Sequence, residues 1–285
     1  MPTLYVVATP IGNLQDMTPR AVQVLQQVGL IAAEDTRVTM KLCQVFDIHT
    51  PLTSCHRHNE ENKGNWLAEK MLEENMDAAV VTDAGTPCIS DPGYGMIQAC
   101  LQRGIQVLPV PGCCAAIAAL SICGFDTREF TFYGFLPREN RELKEKLLSI
   151  RDAGDLAVVH ESPYRVKDLM RVIADLMPDT MVSASCDLTK LHELTIRGTA
   201  GEVLQKLEQN EKSEKGEYCI VLDLSRVPKR EKKVETDIST EARILDLMVR
   251  EDLTMREAMQ KLQDDGEKKN ALKAASIHLK KILEE

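Results

Sequence analysis

The sequence predicts an α/β protein: an N-terminal α/β domain on a parallel sheet, a C-terminal α/β domain on a mixed sheet, and a C-terminal helical tail. Three observations carry that prediction. Short apolar runs alternate with helix-length amphipathic stretches from Leu4 to Val110, the pattern of strands buried on both faces beneath crossover helices. Beyond about residue 125 the apolar runs continue with fewer helical stretches between them, which adds antiparallel pairs to the second sheet. From Arg226 the composition turns charged and then helical. The expected divisions are 1–114, 115–225 and 226–285. A length of 285 residues suits two domains and an appendage, at roughly 100–200 residues per domain.

Taken in order, Leu4–Ala8 is a β-rich run ending at Thr9-Pro10. Thr18 followed by Pro19 is a helix start, and the amphipathic pattern continues to about Val28. Leu30–Ala33 reads as a strand, Asn59–Glu74 as a helix, Ala78–Thr82 as a buried strand, Tyr94–Arg103 as a helix and Gln106–Val110 as a strand. Ala115–Leu120 suggests a helix at the start of the second half. Phe130–Phe135, Leu156–His160, Met181–Ser185, Leu194–Arg197 and Tyr218–Leu222 supply its strands. Pro228–Lys233 reads as a charged linker. Thr240–Arg250, Thr254–Leu262 and Lys268–Leu283 then carry apolar residues at helical spacing. Over 226–285, 14 basic and 13 acidic residues nearly cancel. The tail therefore reads either as solvated helices packed on the body or a partner, or as an accessory module that touches nucleic acid.

Composition narrows the function. Hydrophobic residues at 44% and charged residues at 28% fit a soluble globular chain rather than a disordered one. No apolar run is long enough for a membrane span, and Met1–Tyr5 lacks the pattern of a secretion signal. The net charge of −9 requires any RNA contact to use a local basic patch. Aromatics at 4% are too few for a binder built on base-stacking platforms. Nine cysteines without a CxxC pair read as reduced thiols of a cytoplasmic protein, with no metal site expected.

In an open parallel sheet, ligands bind beyond the carboxyl ends of the strands. Polar loops stand at those ends at Thr9–Leu14, Glu34–Arg37, Asp83–Pro87 and Pro111-Gly112. The strongest runs from Asp83 to Gly93. Gly85 and Gly93 permit close backbone approach to a ligand, Pro87 and Pro92 stiffen the loop, and Asp83 and Asp91 can accept from amine or ribose hydroxyl donors. Asp91-Pro92-Gly93 would also serve as a plain turn and helix start. No GxGxxG follows the first strand, and neither GxxxxGK[ST] nor GxSxG occurs. A dinucleotide site, a P-loop and a hydrolase nucleophile elbow are therefore unsupported.

Leu4–Leu14, Ala32–Arg37, His58-Asn59-Glu60, Asp83–Gly93, Gly134–Arg138, Glu161-Ser162-Pro163, Leu188–Glu193, Arg197-Gly198-Thr199 and Lys215-Gly216-Glu217 span about residues 3–225. In that order and register they resemble the 16S rRNA (cytidine-2′-O)-methyltransferase I family, within the tetrapyrrole (precorrin) methylase superfamily. The resemblance implies two α/β domains of the tetrapyrrole methylase type, with S-adenosylmethionine in the cleft between them, and a homodimer. It also implies, as product, a 2′-O-methylated cytidine in the decoding region of 16S rRNA in the small ribosomal subunit. It carries donor contacts to Pro10, to Asp83, Ala84, Gly85, Thr86, Pro87, Ile89, Ser90 and Asp91, and to Pro111, Gly112, Cys114 and Ala115. Phe135, Leu136, Ser185 and Leu188 complete that set. Such a reaction must align the 2′-oxygen, the methyl carbon and the sulfur, and exclude water. A ribose hydroxyl is a weak acid that a nearby base assists. Glu161 and Lys190 are the candidates for proton handling or ribose positioning, with Asp35 beside them. Arg37, His56, His58, Arg138 and His192 are the RNA-facing candidates.

Each has a plainer reading. Asp35 could cap a helix and pair with Arg37. If their segments are extended, His56 and His58 share a face, as do Lys190 and His192. Arg37, Lys41, Arg57, Lys63, Arg138, Arg141, Lys144 and Arg165 could form the local RNA patch, or be solvated helix faces. Departures from the family pattern fall at Cys55, Cys113-Cys114, Cys186-Asp187 and the exchanged pair His160 and Tyr164. Two other functions stay open: a methylase of the same fold acting on a tetrapyrrole, and a non-catalytic protein that binds the donor.

Overall fold

The computed structural model describes residues 1–57, 59–229 and 238–283. Residues up to Lys229 form one compact unit, and those from 238 belong to a second.

The first unit opens with a five-stranded sheet of β1 (Thr3–Val7), β2 (Leu30–Ala33), β3 (Leu52–Ser54), β4 (Ala78–Val81) and β5 (Gln106–Val110), in the order β3-β2-β4-β1-β5. Every pair is parallel. Its helices are α1 (Pro19–Gln27), α2 (Thr36–Val45), α3 (Glu60–Glu73) and α4 (Tyr94–Gln102). Period-two alternation sends Val7, Ile31, Ala33, Ala79 and Val81 into one core with Leu25 of α1 and Cys43 of α2. The alternate set Leu4, Leu30, Ala32, Ala78 and Val80 packs with Leu67 and Met71 of α3 and Met96 of α4. Burial on both faces explains why these strands read as unbroken apolar runs. Thr18 caps α1 with Pro19 in its first turn, as the sequence signals. β3 goes beyond the sequence expectation, while α2 follows the reading of Asp35 as a helix cap. β3 has three residues, too few to show a period.

The second sheet contains β6 (Thr131–Phe135), β7 (Leu156–Glu161), β8 (Met181–Cys186), β9 (Leu194–Thr199) and β10 (Tyr218–Asp223), in the order β6-β7-β10-β8-β9. β6 and β7 are parallel and the other pairs antiparallel, so the sheet is mixed as expected. α5 (Ala115–Ile122) covers one face, with Ala116, Ala119 and Leu120 against Val158 and Val221. α6 (Asn140–Ala153), α7 (Val166–Leu176) and α8 (Ala200–Gln209) contribute to the core on the opposite face. Fewer helices separate these strands, as expected, since β8 to β9 has none, but α6, α7 and α8 still fill the other connections. In α6 just three residues, Leu143, Leu147 and Ile150, are buried, and its charged majority masks that stripe in the sequence.

The two sheets meet through their loops. Asn13 N, after β1, donates to Thr189 Oγ1, after β8, at 3.0 Å. A Cβ on Gly12 would stand 2.4 Å from Lys190 Cγ and 3.0 Å from the Leu188 carbonyl. A side chain there would push the loops apart.

Val227 is 7% exposed within the second sheet's core, so the division expected at 226 moves a few residues onward. Of the linker expected over 228–233, residues 230–233 lie outside the described residues. In the second unit α9 (Thr240–Glu251), α10 (Met255–Asp264) and α11 (Lys269–Leu283) share a core of Ile244, Ala258, Leu262, Leu272, Ala275 and Leu279. Among the described residues, no helix is long and apolar enough to cross a membrane.

Gly12→Ala should therefore lower stability by about 1–3 kcal/mol in urea unfolding. Adding Lys190→Ala, which removes the clashing Cγ, should recover part of that loss. Additive effects of the two substitutions would show that the loops do not press on each other at Gly12.

Candidate active site

A cavity of about 280 Å³ opens where these sheet edges meet, close to the lower end of small-molecule sites at about 300–1,000 Å³. From the first sheet it takes Ile11, Glu34 and the 83–91 loop, all beyond carboxyl ends of strands. In the second sheet β10 runs against β7 and β8. The carboxyl ends of β7 and β8 and the amino end of β10 therefore share one edge. That edge supplies His160, Glu161, Asp187, Glu217 and Tyr218.

The 83–93 loop is held at several points. Thr9 and Gly85 exchange backbone hydrogen bonds of 2.9 and 3.0 Å. Thr86 Oγ1 donates to the Cys113 carbonyl at 2.8 Å. Arg57 Nη2 donates to the Ser90 carbonyl at 2.9 Å, and Glu60 Oε2 accepts from Gly93 N at 2.7 Å. Gly85, Cys88, Ser90 and Gly93 all have positive φ. For Cys88 and Ser90 this is a conformation that non-glycine residues seldom adopt, and it is maintained here by the clamps.

The cavity is acidic. Six carboxylates line it, Glu34, Asp83, Asp91, Glu161, Asp187 and Glu217, against one lysine, Lys190. Burial raises Glu34 and Asp83 above their ordinary range. Asp91 is pushed up to about 6, first by burial and then by the charge of Glu34, against the pull of Arg57. Glu161 is 2% exposed. Its Oε1 accepts from Ser162 N at 2.8 Å, while its Oε2 has no hydrogen-bond partner. Arg165 Nη2 stands 3.4 Å from that Oε2, near enough to attract it but without a hydrogen bond. Burial raises Glu161, the Ser162 amide and Arg165 notwithstanding. His160 Nε2 is likewise buried and unpartnered, and burial lowers its pKa, so the ring is neutral. The rings of Phe132 and Phe135 stand edge-on to it, at 5.1 and 5.7 Å. Lys190 Nζ donates to Asp187 at 2.9 Å and Glu217 at 3.0 Å. Burial alone would lower its pKa, but these bonds outweigh it and keep the amine charged.

Comparison with known proteins fits this geometry. The family profile of tetrapyrrole (corrin/porphyrin) methylases matches residues 3–204, most of the two-sheet unit. The chain belongs to the tetrapyrrole methylase family. Two curated relatives carry the name ribosomal RNA small subunit methyltransferase I. One, from Bacillus subtilis, is 42% identical over 78% of this chain and 75% of its own length. Another, from Escherichia coli O157:H7, is 40% identical over 94% of this chain and 92% of its own. A solved cobalt precorrin-4 methyltransferase superposes with a TM-score of 0.56 at 17% identity, over 78% of this chain and 94% of its own. That likeness shows the shared fold.

Within this methylase fold, Asp83, Ala84, Ser90, Asp91, Ala115, Phe135, Glu161, Leu188 and Lys190 line the cavity. Gly85, Thr86, Pro87 and Ile89 belong to the same loop without lining it, and Pro10, Pro111, Gly112 and Cys114 stand in neighbouring turns. Leu136 lies in the core, and Ser185 is buried beside Thr195, their hydroxyls 3.1 Å apart. Asp35 caps α2 and pairs with Arg37, which holds it down to about 2; neither lines the cavity. The 187–193 segment is turned rather than extended, so the shared face expected for Lys190 and His192 does not form. His192 and Arg138 are exposed outside the cavity. His56 lies in a turn closed by Asn59 N, and His58 lies outside the described residues. Glu34, in a rim loop the sequence singles out, and Asp187, in the strand end expected to meet the donor, both line the cavity, whereas sequence reasoning missed Glu217 and Tyr218 as lining residues. A search of carboxyl strand ends cannot find Glu217 and Tyr218, because they sit at the amino end of an antiparallel strand.

The raised Asp91 sets a pH dependence. A carboxyl whose folded pKa exceeds its unfolded value loses stabilising effect as pH rises through the folded value, here about 6. Asp91→Asn should therefore gain about 1–2 kcal/mol on the parent between roughly pH 4 and pH 8, after discounting for partial exposure. Urea unfolding at both pH values measures it. A constant difference between the two proteins would mean that Asp91 ionises normally.

Proposed function

We propose that the chain transfers a methyl group from S-adenosylmethionine to the ribose 2′-oxygen of a cytidine in the decoding region of 16S rRNA. The observation that carries this is the cavity's charge, six carboxylates against one lysine. Such a field favours a ligand bearing a sulfonium and an ammonium. It opposes a tetrapyrrole bearing several carboxylates, and it keeps RNA phosphates out while admitting a ribose edge. The curated relatives' names support an rRNA substrate. A cytoplasmic location and a homodimer accompany the reading and rest on the family resemblance.

The residues fit the donor. The positive-φ loop exposes backbone at the rim, Asp83 and Asp91 offer acceptors, and the unpartnered Glu161 Oε2 and His160 Nε2 sit by the cavity. When bound, S-adenosylmethionine supplies a methyl already activated on sulfur. Phe135 and the His160 ring form an aromatic wall on one side of the cavity. Glu161, poised by burial to accept a proton, takes the one that leaves the 2′-hydroxyl as the C–O bond forms and the C–S bond breaks. Lys190, held protonated, is a donor that orients the ribose rather than a base.

The test is transfer of labelled methyl from S-adenosylmethionine to small ribosomal subunits that lack the modification. Label should enter the ribose of one cytidine and disappear with Asp83→Ala. Glu161→Gln should slow transfer by about 10²–10⁴ while calorimetric donor affinity stays within twofold. Donor binding without label in RNA would overturn the substrate assignment. Full activity in Glu161→Gln would place the base elsewhere.

A further inference from the structure

The acidic cavity leaves the grip on an RNA backbone to some other surface. The second unit has one. α10 and α11 enclose a groove of about 480 Å³. Met255, Met259 and Leu272 form its apolar floor, and Arg256, Lys269, Lys273 and Lys280 line it. Among the described residues, no carboxylate lines it.

Some cations of this unit are paired and others are not; Lys268 and Lys281, outside the groove, have no ion pair among the described residues. Away from the groove, Arg243 pairs with Glu267, Arg250 with Asp246, Lys261 with Glu251, and His278 with Glu241. The four groove cations have no carboxylate partner among the described residues, and all four are exposed. Three of them follow helical spacing on one stripe of α11. Lys269 to Lys280 covers roughly 16 Å along the axis at about 1.5 Å per residue, enough to meet several successive phosphates. The stripe is concave and floored by half-buried methionines, a shape for a strand to lie in rather than for insertion into a lipid surface.

We propose that the α10–α11 groove binds the sugar–phosphate backbone of RNA, giving this acidic chain the cationic contact that its cavity cannot provide. This rests on the RNA-methylation reading for the identity of the RNA, but its geometry and charge stand by themselves.

The test uses the full chain and two probes, a fluorescein-labelled fragment of 16S rRNA and whole small subunits. The quadruple variant Arg256→Gln, Lys269→Gln, Lys273→Gln and Lys280→Gln is compared with the parent. Arg250→Gln with Lys261→Gln, which removes paired cations, is the control. The quadruple variant should bind the fragment about tenfold or more weakly. The slope of log affinity against log salt should flatten by about 2–3, at roughly 0.7 per single-strand phosphate released. Its KM for subunits should rise with little change in kcat or donor affinity. The control should stay within about twofold of the parent. Lys→Arg at 269, 273 and 280 should retain binding, which separates charge from folding. Parent-like affinity and salt slope in the quadruple variant would overturn the proposal. So would normal fragment binding with weakened subunit binding, which would assign the groove to a protein. A parent chain that binds the fragment through this groove yet methylates no RNA would leave the groove standing and overturn the methylation reading instead.

Discussion

Two loops from different sheets pass so closely at Gly12 that no side chain fits between it and Lys190, and a hydrogen bond from Asn13 to Thr189 fastens them there. Much of the site follows from that contact. It sets the carboxyl edge of the parallel sheet against the corresponding edge of the mixed sheet. It brings Lys190 to the cavity, where Asp187 and Glu217 hold its charge. Leu188, between these residues, closes the wall that Ala115 approaches from the helix start of α5. The energy of any one of these contacts is small. Their effect is positional, and catalysis by alignment depends on position to within an ångström or so.

Charge is divided within a chain whose total is −9. The cavity gathers six carboxylates, four of them raised by burial, while the groove of the second unit gathers four cations that have no acidic partner among the described residues. A single net charge hides both. On the proposed reading, a cationic methyl donor and an anionic polymer need opposite fields, which the cavity and the groove offer. Buried carboxylates that repel one another destabilise the empty protein. That strain is the kind a bound cation relieves.

Much of this was legible in the sequence, and the failures have physical causes. The parallel sheet showed itself because its strands are buried on both faces, and α1 announced itself through Thr18 and Pro19. The 83–93 loop stood out because its glycines, prolines and aspartates are unusual for a connection. α6 stayed hidden because a narrow apolar stripe was outnumbered by charge. Asp35 drew attention as a reactive group, yet its nearest donor is Arg37, two residues on, and the local ion pair won. Glu217 lay in a recognised motif but at the wrong end of its strand for a rule made for parallel sheets. Whether a lysine is paired, as Lys261 is while Lys273 has no partner among the described residues, depends on helix packing that no single helix pattern contains.

The central claim is that the acidic cavity at the junction of the sheets is the methyl-donor site. A crystal structure of the full chain grown with S-adenosylhomocysteine tests it most directly. The product should lie between the 83–91 loop and Ala115, with its amine or ribose hydroxyls on Asp83 or Asp91 and its sulfur toward Glu161. Density for the product at another surface, with the cavity filled by water and its carboxylates unengaged, would contradict it.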